Sequence, residues 1–121
     1  MNLPRLWWVP AGKVPEVTPQ ELNDWQKNGK AVQIVDARTA LEYHQGTIGD
    51  ARHAPLTEMP ASMENLELDA SRVVVVVCLS GHRSIPGTRW LRARGYQAYS
   101  LRGGLIGWKH AGYPLENPAT R

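Results

Sequence analysis

The residues best equipped for chemistry form one short run, Cys78-Leu79-Ser80-Gly81-His82-Arg83-Ser84, between five consecutive valines and a helical pattern. A turn from strand to helix leaves several backbone N–H groups unpaired at the helix start. Where those groups converge on the cysteine sulfur they stabilise an anion, and the helix dipole adds to the effect. The thiolate, not the thiol, is the nucleophilic form. Gly81 can take the positive φ that wraps the loop round the sulfur. Arg83 adds a positive charge. Ser84 is expected to cap the helix, and Pro86 is tolerated because its missing N–H falls in the first turn. The competing reading makes Cys78 a small apolar filler that extends the valine strand. Gly81, Arg83 and Ser84 directly behind it argue for the reactive reading.

A second polar set, Asp36, Arg38 and Glu42, follows the apolar run Ala31 to Val35. Arg38 and Glu42 are four apart, so the simple expectation is an i,i+4 ion pair on a helix. Asp36 is expected to hydrogen-bond backbone near the cysteine loop. These three read as structural support rather than as catalytic groups. Gly103 and Gly104 read as a turn where backbones approach closely, and Trp108 reads as core. His44, His53, His82 and His110 show no metal-ligand spacing with Cys78, so no zinc site is expected.

These groups need elements to hold them. Thr18-Pro19-Gln20-Glu21 is a helix start with a cap, a first-turn proline and a glutamate three residues on, and Asn28-Gly29 stops that helix. Ala31 to Val35 reads as a buried strand ending at Asp36. Thr39 to Gln45 reads as a short helix closed by Gly46, Ile48 to His53 as a turn and short strand, and Ala61 to Leu68 as helix. Val73 to Val77 is apolar without alternation, which marks a strand buried on both faces at the centre of a parallel sheet. Ser84 to Arg94 reads as a helix, Gln97 to Leu101 as a strand and Leu105 to His110 as a last short helix, before a polar tail from Glu116 to Arg121. Strands alternating with helices predict an α/β fold, a mostly parallel central sheet with helices on both faces. Ligands of such sheets lie at the carboxyl ends of the strands. Asp36 and Cys78 stand at two of those ends.

The 121 residues amount to one domain, 1–121, with a core from about 17 to 115. Such a chain can bury a normal core without metals or disulfides as staples. Its single cysteine excludes an intrachain disulfide and a secreted disulfide scaffold, so a cytoplasmic setting is expected. The net charge of +3 aids solubility. Arg89, Arg92, Arg94 and Arg102 form the nearest basic cluster; Arg89 and Arg92, at i,i+3 on a predicted helix, read as a solvated face, and a small anionic ligand suits the surplus better than a nucleic acid. No apolar run approaches a membrane span. Leu3 to Pro10 is expected to be an edge segment whose tryptophans, Trp7 and Trp8, cover the sheet; an exposed partner-binding patch is the other reading.

Cys-x-x-Gly-x-Arg-Ser after a valine-rich strand resembles the active-site loop of the rhodanese-like sulfurtransferases. Asp36-Ala37-Arg38 with Glu42, then Gly46-Thr47-Ile48, Ala51 and Pro55, resembles that family's Asp-x-Arg…Glu…Gly-His-Ile…Gly-Ala…Pro stretch. Leu101-Arg102-Gly103-Gly104 with Trp108 resembles its Gly-Gly-x-x-x-Trp ending. Thr47 stands in place of the usual histidine, Asp50 in place of a glycine, and Ile85-Pro86-Gly87 is an unusual helix opening. The resemblance runs from about Val17 to Leu115. It implies a rhodanese-like fold and a cysteine that takes a sulfane sulfur from an anionic donor such as thiosulfate. The persulfide would then pass its outer sulfur to cyanide or a thiol. On this reading Cys78 is the nucleophile and Arg83 its electrostatic partner. Leu79, Ser80, Gly81, His82 and Ser84 form the substrate cradle, with His82 on the rim.

Two other classes stay open. One is a non-enzymatic interaction module on the same fold, which a missing cysteine would have favoured. The other is a phosphatase or arsenate reductase, whose related loops resemble Cys-x5-Arg; Cys78 and Arg83 enclose four residues. A cysteine hydrolase would need a general-base histidine with an orienting partner, and His82 is too close along the loop. The expected partners are a small sulfur donor and a thiol or cyanide acceptor, including a cysteine of a partner protein. No cofactor, nucleic acid or membrane is expected, and the chain is expected to be a monomer.

Overall fold

A computed structural model describes residues 7–9 and 12–120. Five strands make one sheet: β1 (Glu16–Val17), β2 (Gln33–Asp36), β3 (Arg52–His53), β4 (Val74–Val77) and β5 (Ala98–Leu101). Their order is β1-β5-β4-β2-β3, and every pairing is parallel. Parallel neighbours need crossovers. The helices that supply them are α1 (Pro19–Lys27), α2 (Ala40–Gln45), α3 (Ala61–Glu64) and α4 (Ser84–Ala93), and α5 (Gly104–His110) follows the last strand.

The valine run lies in the central strand, and its alternate side chains enter two separate cores. Val73, Val75 and Val77 pack with Leu22, Leu101, Leu105 and Trp108, under α1 and α5. Val74 and Val76 pack with Val35, Met63, Trp90 and Leu91, under α3 and α4. A strand buried on both faces has no polar side to show, which is why the run does not alternate. None of the described helices is long and apolar enough to cross a membrane.

Several boundaries differ from the sequence expectation. The strand expected over Ala31 to Val35 covers Gln33–Asp36, because Val32 closes a tight turn onto the Lys30 carbonyl. Gln33 sits inside without penalty: its amide donates to the Asp69 carbonyl and accepts from the Asp69 N–H, each at 2.8 Å. The helix expected over Ala61 to Leu68 stops at Glu64, and Glu67 has φ of 51°, which no helix continues. Strand β1 has no counterpart in the sequence expectation. Two residues between Pro15 and Thr18-Pro19 carry no readable alternation, yet the carbonyls of Pro15 and Val17 accept from Ser100 and Arg102 of the β5 edge. At the N-terminus, Trp7 is partly buried against the α3–α4 core. Trp8 is 57% exposed and covers nothing. Residues 3–6 and 10 of that segment lie outside the described residues.

Candidate active site

Cys78 follows β4 directly and is 1% exposed. The Gly81 N–H donates to its sulfur at 2.9 Å. Gly81 has φ of +99°, the left-handed region that glycine enters without strain, so it is the residue that turns this N–H back onto the sulfur. Of the N–H groups expected to converge from Leu79 to Ser84, this is the one that reaches Sγ. The start of α4 also faces the loop. Pro86 is its third residue, where no intrahelical N–H bond is due.

Ser84 does not cap α4. Arg83 occupies the cap position in helical conformation, with no side-chain cap bond. Ser84 is fully buried instead, its hydroxyl 3.6 Å from the Cys78 sulfur and 2.5 Å from the Ser100 hydroxyl. Ser100 is a site neighbour that sequence reasoning missed. The only signal it gave was a polar residue at an inward position of an apolar strand. Two buried hydroxyls therefore form a chain leading from the sulfur, and each can donate or accept.

Arg83 reaches across to α2. Its two terminal nitrogens donate to the two Glu42 carboxylate oxygens at 2.7 and 2.9 Å, a bidentate pair. The same Glu42 closes a capping box with Thr39 at the start of α2. The Arg83 hydrogen bonds, helped by Thr39, hold the Glu42 carboxyl down at about 2. In return Glu42 raises Arg83 above the ordinary guanidinium value. The expected Arg38–Glu42 pair is therefore absent. Arg38 precedes the Thr39 cap, so it is not on the helix where an i,i+4 pair could form. Its guanidinium clasps Asp36 at 2.7–3.1 Å and donates to the Gly46 carbonyl at 2.6 Å. Asp36 is fully buried and also accepts from the Arg38 N–H and from the Thr47 hydroxyl. Its bonds run to its own strand–helix connection and to Thr47, not to the cysteine loop. Where the resemblance led one to expect a histidine, Thr47 thus completes a closed polar cluster.

The expected close approach at the glycine pair is present. A β-carbon on Gly104 would lie 2.5 Å from the Cys78 carbonyl oxygen and 2.6 Å from Leu79 backbone atoms. With no side chain there, α5 comes close enough for the Leu105 N–H to donate to the Cys78 carbonyl at 2.8 Å. The Ile106 N–H donates to the Leu79 carbonyl at 3.0 Å. The loop is therefore held from three sides: by Glu42 through Arg83, by α5, and by the Ser84–Ser100 pair. Leu79, Ser80 and His82 form its exposed outer edge, with the Ser80 hydroxyl 3.1 Å from the His82 ring. Trp108 is core, as expected. Among the described residues, no three His, Cys, Asp or Glu side chains gather as metal ligands would.

The sequence profile of the rhodanese-like domain matches residues 18–111. A protein named sulfurtransferase from Allochromatium vinosum is 36% identical over 106 residues, covering 87% of this chain and 97% of its own length. The tRNA uridine(34) hydroxylase of Xanthomonas oryzae is 32% identical over 107 residues, covering 80% of this chain but 42% of that longer protein. Among solved structures, a rhodanese-like domain protein from Staphylococcus aureus superposes with a TM-score of 0.74 at 31% identity. That match covers 85% of this chain and 97% of the other. With this profile match, and with its parallel sheet and cysteine loop, the chain belongs to the rhodanese-like domain family.

Proposed function

We propose that this protein is a sulfurtransferase that carries a sulfane sulfur on Cys78, with thiosulfate as a donor and cyanide or a thiol as acceptor. The observation that carries the reading is the Gly81 N–H donating to a buried Cys78 sulfur at the start of α4. That is the setting a sulfur anion requires. The matched relative named sulfurtransferase supports the same reading.

In the first half-reaction the Cys78 thiolate attacks the outer sulfur of thiosulfate. The sulfur–sulfur bond of the donor breaks, sulfite leaves with that electron pair, and Cys78 holds a persulfide anion. In the second half-reaction a nucleophile attacks the outer sulfur. The Cys78–sulfur bond breaks, and the thiolate returns. Charge balances in each step, and no outside oxidant or reductant is needed. Gly81 stabilises the anion through its N–H. Ser84 and Ser100 adapt to it: the sulfur group they face changes from thiol to thiolate to persulfide, and the hydroxyl pair can reverse which oxygen donates. Arg83 acts mainly by fixing the loop, because Glu42 already balances its charge. Leu79, Ser80 and His82 border the entrance. Replacing the nucleophile tests the assignment. In Cys78→Ala, thiosulfate-dependent thiocyanate formation is expected to be lost while far-ultraviolet circular dichroism stays native. A variant that retains the activity contradicts the proposal.

A further inference from the structure

Beside the cysteine loop lies an open groove of about 360 Å³, between α5 and the segment that returns from it to the Gly46–Thr47 turn. Leu79, Leu105, Ile106 and Leu115 make its apolar walls. Leu79 and Ile106 are 41% and 54% exposed, so the apolar surface is open to a visitor. The polar lining is Arg38, Lys109 and His110, and no carboxylate among the described residues lines the groove. Arg38 is nine-tenths buried, and its Nη1 carries no hydrogen bond among the described residues, although it is not sealed from solvent. Lys109 is exposed, with no ion-pair partner among the described residues. The wall at Leu79 is the residue next to the nucleophile. The wall at Ile106 is bonded to that loop through its own N–H.

Resting on the sulfur-transfer reading, we infer that this groove is the acceptor subsite. Its ligand is a small thiol on an apolar arm that ends in a carboxylate. The lone cysteine forces the sulfur to leave the chain, because no second thiol can displace it within the molecule. The acceptor must therefore bring its sulfur to Cys78 from outside. A volume of this size holds a small molecule, and an apolar wall beside the unpaired Lys109 ammonium and the open Nη1 donor of Arg38 selects an apolar arm with an anionic end. The acceptor thiolate attacks the outer persulfide sulfur, the Cys78–sulfur bond breaks, and the acceptor departs as its own persulfide anion. Charge is conserved, since one thiolate enters and one is released.

The test uses protein loaded with sulfur by polysulfide, so it does not depend on the donor. The acceptors are mercaptoalkanoates from mercaptobutanoate to mercaptooctanoate, together with the matching amides. Loss of the persulfide is followed by mass spectrometry, and each rate is divided by the rate with cyanide, which is too small to use the groove. The ratio is expected to rise roughly three- to fourfold per methylene until the groove is filled. Acids are expected to exceed amides by about two- to fivefold at low salt, and the margin should shrink as salt is added. Ile106→Asp should abolish the gain with chain length, and Lys109→Glu should erase or invert the preference for acids. Both residues are exposed, so the fold should tolerate the changes. Ratios that stay flat along the series, or gains that survive both substitutions, overturn the groove assignment alone. A chain that accepts no sulfur from polysulfide overturns it together with the sulfur-transfer reading.

Discussion

Arg83 and Glu42 are 41 residues apart in sequence, yet their bidentate pair ties the cysteine loop to the start of α2. Because Glu42 is depressed from 4.5 to about 2 in the folded chain, its contribution to stability is complete above pH 4.5. It is lost as pH falls toward 2. The pair is about a third exposed, so solvent screening limits its worth to about 1 kcal/mol. Glu42→Gln should therefore lower stability by about 1 kcal/mol at neutral pH. The gap between variant and wild type should close as pH drops from 4.5 toward 2, measured by urea unfolding. A gap that does not change with pH would assign the effect to lost packing. The loop itself was legible because Cys78, Gly81 and Arg83 are close in sequence and each has a local reason to be there. The partner of Arg83 was not. The nearest-charge rule paired Glu42 with Arg38, but Arg38 lies before the helix cap and is claimed by Asp36 at the end of its own strand.

At the scale of elements, the meeting of α5 and the cysteine loop depends on Gly104. Its φ of +59° is costly for other residues, and its missing side chain is what lets the two backbones touch. Gly95 makes an informative contrast, with φ of +90° and nothing within 4 Å of its would-be β-carbon. Gly95→Ala should cost about 1–2 kcal/mol from backbone strain alone. Gly104→Ala should cost more, about 3 kcal/mol, because the new methyl meets Cys78 and Leu79 backbone as well. It should also cut sulfur transfer out of proportion to stability, since the clash moves the loop. Thermal unfolding and activity of the two variants check both points. The glycine pair was readable as a close approach, whereas its partner backbone was not, because contact with Cys78 and Leu79 exists only once α5 folds back over the sheet. The end of helix α3 and the whole of strand β1 escape the sequence pattern for a related reason. Elements of two to four residues carry too few periods to read, and their limits are set by neighbours: the β5 edge for one, and a left-handed Glu67 for the other.

For the whole molecule, the parallel sheet was legible from the valine run, because only a doubly covered strand can be apolar at every position. The order β1-β5-β4-β2-β3 places Cys78 at the carboxyl end of the central strand, where ligands of such sheets bind. The groove beside it was not legible, since Arg38, Leu79 and the pair Ile106 and Leu115 come from three separate stretches of chain. With one cysteine in the molecule, sulfur held between donor and acceptor has a single place to reside, and the two half-reactions must be separable. The most direct test incubates the protein with thiosulfate, removes the donor and weighs the intact chain. A gain of one sulfur atom on Cys78, removed by cyanide with release of thiocyanate, is the predicted result. An unchanged mass, with transfer seen only while donor and acceptor are present together, would contradict it.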